Sequence, residues 1–188
     1  MQADHMPLPG TLWTIGHSTR EWTVFVEMLG EAAIERLVDV RRFAGSRRNP
    51  QYSPTAMAPE LQSAGIEYLP MPEFGGRRSP LPDSPNGAWR VTAFRGYADY
   101  MATPEFERAR NLLMQGARDR RCAVMCAEAV WWRCHRRLIA DDFVARGWEV
   151  RHLMGSGKVQ PHVLNPAARM VDGTLRYPPA TASQEALF

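Results

Sequence analysis

Five short apolar runs separated by helix-like stretches constrain this chain more than any other feature. The runs are LWTIG at residues 12–16, residues 37–40, IEYLPM at 66–71, CAVMC at 122–126 and the segment WEVRHL. Each reads as a short strand, the first of them buried. Between them, apolar residues recur at helical spacing. Trp22, Phe25, Val26 and Leu29 share one helical face, and Phe106, Leu113 and Ala117 share another. Strands joined by helical crossovers pair in parallel, and such sheets are covered on both faces. The expected fold is α/β, a three-layer Rossmann-like, mainly parallel sheet of about five strands with helices on both faces.

Local signals predict where the helices begin and end. Ser18 and Glu21 have the spacing of a capping box. Ser53-Pro54 and Thr103-Pro104 each place a capping hydroxyl before a proline suited to the first helical turn. Pro59 shortens or kinks its helix, and Gly65 and Gly147 stop theirs. Further helix is expected at 96–101 and from about Arg133 to Arg146. The stretch PEFGGRRSPLPDSPNG reads as a long loop. The sequence predicts one α/β domain over 10–155, an extension over 156–180 that packs on or near it, and a flexible tail over 181–188.

Hydrophobic residues make up 45% of the 188, enough for a core of this kind. No apolar run approaches the length of a membrane span, and the first residues have no secretion-signal pattern. Three cysteines without a Cys-x-x-Cys pair argue against a disulfide framework. A reducing, cytoplasmic setting and no membrane partner are therefore expected. Lys158 is the only lysine among 23 basic side chains. Arginine suits bidentate contact with phosphate or carboxylate.

The chemically versatile residues fall after the strands. His17 and Ser18 follow the first, and Asp39, Arg41, Arg42, Arg47 and Asn49 follow the second. Cys126 ends the fourth, with Glu128, Trp131, Trp132, Arg133, Cys134 and His135 just beyond. In a parallel sheet these positions share one edge, where ligands bind.

GHSTREWTVFVEML, LVDVRRFAGSRRNPQYS, the FGG turn, FRGYADYM and CAEAVWWRCHRRLIADDFVARG together resemble the family called domain of unknown function 488. The resemblance runs from about residue 12 to 178. It implies a small α/β fold of bacterial, cytoplasmic type and assigns no activity.

Cys134 and His135 stand at a helix start beside Arg133, Arg136 and Arg137, a setting that favours a thiolate. Cys134 or Cys126 is a candidate nucleophile, Glu128 a candidate acid–base group, and His17 and His135 candidate proton carriers. Each cysteine can equally be a buried hydrophobe, and Glu128 can equally pair with an arginine. Ser18, Asp39, Arg41, Arg42, Arg47, Asn49 and Arg133 are candidates for holding phosphate. Tyr97, Trp131 and Trp132 are candidates for stacking on a base. Cys134-His135-Arg136 also resembles the core of DNA alkylguanine alkyltransferases, but Arg133 stands where those have proline. Cys126, Glu128, Cys134 and His135 lack zinc-like spacing, so no metal is expected, and no nucleotide-cofactor fingerprint is present.

Gln184, Leu187 and Phe188, in SQEALF, resemble the peptide by which bacterial repair proteins dock on the DNA sliding clamp. That makes the clamp a possible partner, and DNA or a nucleotide a possible substrate. Three functions remain open on the sequence: an enzyme of DNA repair or nucleotide processing, a non-catalytic nucleic-acid or nucleotide-binding module, and a cysteine-dependent small-molecule or redox enzyme.

Overall fold

The structure, a computed structural model, describes residues 10–45 and 48–180. Arg47, Gln184, Leu187 and Phe188 lie outside the described residues. The chain runs β1 (Thr11–Gly16), α1 (Trp22–Glu31), β2 (Arg36–Asp39), α2 (Pro54–Ser63), β3 (Glu67–Pro70), α3 (Thr92–Tyr100), α4 (Pro104–Asp119), β4 (Cys122–Cys126), α5 (Arg136–Ala145) and β5 (Glu149–Gly155). It ends with β6 (Lys158–Pro161), β7 (Arg169–Val171) and β8 (Thr174–Arg176).

The main sheet has the order β3-β2-β4-β1-β5-β6. The first five strands in that order are parallel, and β6 joins the edge antiparallel to β5. β7 and β8 form a separate hairpin. Together with the helices on either face, this is the expected three-layer arrangement. The connection after β1 leads to one side of the sheet and that after β4 to the other. The carboxyl ends of β1 and β4 therefore flank a topological switch point, where a crevice opens.

Two apolar cores explain why the strands bury both faces. Side chains alternate along a strand, so neighbours serve opposite layers. Trp13 and Ile15 of β1, with Ala123 and Met125 of β4, pack with Phe25, Met28 and Leu29 of α1 and Met57 and Leu61 of α2. Leu12, Val124 and Val150 pack with residues of α3, α4 and α5, including Tyr97, Phe106, Leu113, Leu138 and Phe143. Thr14, Gly16, Cys126 and His152 have the parity of this second layer.

The helix ends partly follow the sequence. The Ser53 and Thr103 hydroxyls accept the backbone N–H groups of Ala56 and Phe106, as capping residues do. Gly65 and Gly147 adopt positive φ at their helix ends. The capping box at Ser18 and Glu21 does not form. Glu21 itself is the N-cap and makes no side-chain cap, while Ser18 has φ 49° and donates its N–H to the Ala127 carbonyl. α5 also starts later than expected, after a short 3-10 turn over Trp131–Arg133. No described helix is long and apolar enough to cross a membrane.

Candidate active site

β4 and α5 position the two central side chains. Cys126 closes β4, and residues 127–135 double back so that Cys134 returns beside it. The two sulfurs are 2.7 Å apart and both residues are buried. They form the floor of a pocket of about 270 Å³. Ala127, Glu128, Arg133 and His135 line it on one side. Arg41, Arg42 and Phe43 from the loop after β2, with Gly76, Arg77, Ala93 and Phe94, close the other.

Two donors and one fixed charge act on the Cys134 sulfur. The Cys126 thiol is within hydrogen-bonding distance, the Arg136 backbone N–H lies 3.5 Å away, and the positive charge of the Arg136 guanidinium acts on both sulfurs. Burial alone would push the Cys134 thiol up. The Cys126 hydrogen bond and the charge and backbone N–H of Arg136 outweigh it and bring the thiol down to about 7. Cys126 moves the opposite way: burial, then the bond and charge of Cys134, push it well above its ordinary value. One sulfur thus ionises while the other keeps its proton and donates it.

His135 sits beside this pair, with Nδ1 3.5 Å from the Cys134 sulfur. Its Nε2 is 3.3 Å from the Val40 carbonyl, which can only accept. The ring proton therefore resides on Nε2, and Nδ1 turns its lone pair toward the thiol. Burial holds the imidazole below its ordinary pKa, so it is neutral near pH 7 and able to take a proton. Gly76 makes room for the ring, because a Cβ there would lie 3.1 Å from His135 Nδ1.

Arg136 is only 1% exposed. Burial alone would lower its pKa, but the two sulfurs hold it raised. Its Nη2 donates to the Glu128 carbonyl at 2.7 Å, and its Nη1 to the Thr14 hydroxyl at 3.4 Å. The rim carries more positive charge. Arg42 and Arg77 are exposed and lie over the Phe43 ring, and Arg133 is exposed on the facing wall.

The structure distributes the remaining sequence candidates unevenly. Glu128 lines the pocket and is exposed rather than buried, so the cost expected for a buried carboxylate does not arise. His17 lies outside the pocket lining, with both ring nitrogens taken by the protein. Its Nδ1–H donates to the Ser18 carbonyl and its Nε2 accepts from Arg41 Nη1. Its ring stacks on Tyr52 at 4.2 Å. Burial is the largest of the effects that bring its pKa to about 4. Arg41 is engaged as fully: Nε and Nη2 donate to Asp39, Nη2 also to the Tyr52 carbonyl, and Nη1 to His17. Asp39 is spent on Arg41 and on the Tyr68 hydroxyl.

Tyr97 is buried, with its hydroxyl donating to the Phe74 carbonyl and its ring 5.1 Å from that of His135. Trp131 stacks on His152 at 4.4 Å and donates to the Gln160 side chain. Trp132 is exposed and meets Trp131 edge-on. Neither tryptophan, nor Ser18 or Asn49, lines the pocket. Arg77, Phe43 and Phe94 do. Arg77, in the loop PEFGGRRSPLPDSPNG, was legible as a loop arginine suited to phosphate, whereas nothing in the sequence placed Phe43 and Phe94 at the site. Among the described residues, no three His, Cys, Asp or Glu side chains converge as a metal centre requires.

Comparison with known proteins adds one finding. No curated protein and no solved structure matches the chain. The model of a family described as "Domain of unknown function DUF488" matches residues 21–143, a stretch that holds α1 through most of α5 and the whole thiol pocket from Arg41 to His135. The match covers more than half of the sequence, and the chain belongs to the DUF488 family.

Proposed function

We propose that the pocket is a thiol-dependent active site for an anionic substrate, with Cys134 as nucleophile and His135 as its base. The carrying observation is the convergence of Cys126, Arg136 and His135 on one sulfur at the pocket floor. In this reading the Cys134 proton passes to His135 Nδ1. The sulfur then bonds to an electrophilic centre of the substrate, and the leaving group departs with the bonding pair and takes that proton. Water attacking the new bond would restore the thiol and release the second product. Arg42, Arg77 and Arg133 suit a phosphate or carboxylate, and Phe43 and Phe94 suit a planar group such as a nucleobase.

Alkylation tests this directly. Cys134 should react with iodoacetamide along a pH curve with its midpoint near 7, against about 8.5 for an ordinary thiol. The negatively charged iodoacetate should be favoured relative to its rate with free cysteine, and Arg42→Gln with Arg133→Gln should remove that preference. A midpoint at the ordinary value would overturn the assignment.

The connection to DNA repair or nucleotide processing rests on the tail. We propose that Gln184, Leu187 and Phe188 dock on a sliding clamp, with glutamine bonding at the edge of an apolar pocket that takes the Leu-Phe anchor. The full chain should bind a purified bacterial clamp, and a chain lacking residues 183–188 should not. Equal binding by both, or by neither, removes the DNA connection and leaves the thiol chemistry standing.

A further inference from the structure

A line of buried polar groups runs behind the pocket, and the chemistry above leaves it unused. It begins at Asp141 of α5, which is wholly buried. Asp141 Oδ1 accepts the Nε2–H of His162 at 2.9 Å and the Asn165 backbone N–H, while Oδ2 accepts the Tyr177 hydroxyl. His162 Nδ1 is 2.9 Å from His152 Nε2. His152 Nδ1 is 2.6 Å from the Thr14 hydroxyl. Thr14 in turn accepts from Arg136 Nη1 at 3.4 Å.

The donors can be assigned by elimination. A carboxylate only accepts, so His162 carries its proton on Nε2 and its Nδ1 must accept. His152 then donates from Nε2 and accepts at Nδ1, which makes Thr14 a donor there. The Thr14 oxygen is left to accept from Arg136. Every bond points the same way, from the guanidinium at one end to the carboxylate at the other. Aligned hydrogen bonds polarise one another, most of all where water is excluded. Both imidazoles must remain neutral for this order. Burial is the largest of the effects that bring His152 to about 2, so its own imidazole is neutral near pH 7. The Trp131 ring lies flat on His152 and seals the line from the outside.

We propose that Thr14, His152, His162 and Asp141 are positioning residues whose relay fixes the Arg136 guanidinium against the Cys134 sulfur. The proposal rests on the thiol-site reading above. Without the relay, Nη1 loses its anchored acceptor and only the Nη2 bonds to the Glu128 and Ala129 carbonyls orient the guanidinium. The other titratable or charged groups facing Arg136 and the sulfur pair are His17 and Arg20 after β1, Tyr97 of α3, and His135 at the start of α5. None of them bonds to Thr14.

The test compares the alkylation curve of Cys134 in the whole protein and its variants. Thr14→Val keeps the shape and removes both links, while His162→Gln breaks the relay far from the sulfurs. Each should move the midpoint up by about one unit, which slows reaction at pH 7 roughly fivefold. Thr14→Ser should restore the wild-type curve. Melting temperatures taken alongside separate the two readings, since a purely structural role lowers stability without moving the midpoint. Unmoved midpoints in both variants overturn the relay. An ordinary midpoint in the wild type would instead overturn the thiol site itself.

Discussion

Gly16→Ala is expected to destabilise the protein by at least about 3 kcal/mol and to abolish rapid alkylation of Cys134. A Cβ at Gly16 would stand 1.7 Å from the Glu128 carbonyl oxygen and 2.7 Å from Arg136 Nη2. The first neighbour is backbone and cannot swing aside. The Glu128 carbonyl is also the acceptor of Arg136 at 2.7 Å, so moving it displaces the guanidinium whose charge acts on the sulfurs. β1 cannot retreat, because β4 and β5 bond to it on both sides. Gly30→Ala provides the control: a Cβ there meets nothing within 4 Å. It lies in α1, where alanine is favoured over glycine by about 1 kcal/mol. Urea denaturation of the two variants should give opposite shifts. A Gly16→Ala protein of wild-type stability and reactivity would show that the close packing described here is wrong.

The second large effect is expected at the foot of the β2 loop. Asp39→Ala should cost about 3–5 kcal/mol, because it leaves the Arg41 charge buried without a partner. The pair is bidentate, with side-chain exposures of 6% and 1%, so water cannot replace the lost carboxylate. The Tyr68 hydroxyl and the Arg41 backbone N–H lose the same acceptor. Adding Arg41→Met should recover much of the loss, since it removes the stranded charge. Equilibrium unfolding of the two single variants and the double variant measures this coupling. Additive losses would mean that the pair is not the unit its geometry describes.

That pair also shows what the sequence could and could not convey. Asp39, Arg41 and His17 were legible as versatile side chains at strand ends, and they are there. Their donors and acceptors are consumed by one another, a matter of distances between β1, β2 and the loops after them. Cys134 beside basic residues at a helix start was equally legible. Its contact with Cys126 was not, because it depends on how residues 127–133 turn back, and the 3-10 turn there has no strong local signal.

β1, β2 and β4 were readable because short, buried runs are nearly continuous in apolar residues, while β3 and β5, which are only partly covered, were readable from their apolar residues between helical segments. β6 escaped notice because all four of its residues are exposed and carry no alternation. The relay could have been suspected from LIADDFVA. Two acids inside an otherwise apolar helix are expensive without partners, and Thr14 and His152 are the polar residues of β1 and β5 that share its layer.

His162 and Tyr177 reach Asp141 from beyond the main run of crossovers. The order of synthesis then has a chemical consequence. Cys126 and Cys134 leave the ribosome well before the residues that complete the hydrogen-bonded line behind them. Until then these two cysteines, like Cys122, are ordinary thiols, slow to react at neutral pH. On the relay proposed above, the sulfur gains its full reactivity only when residues 158–177 close over α5, by which time it is buried.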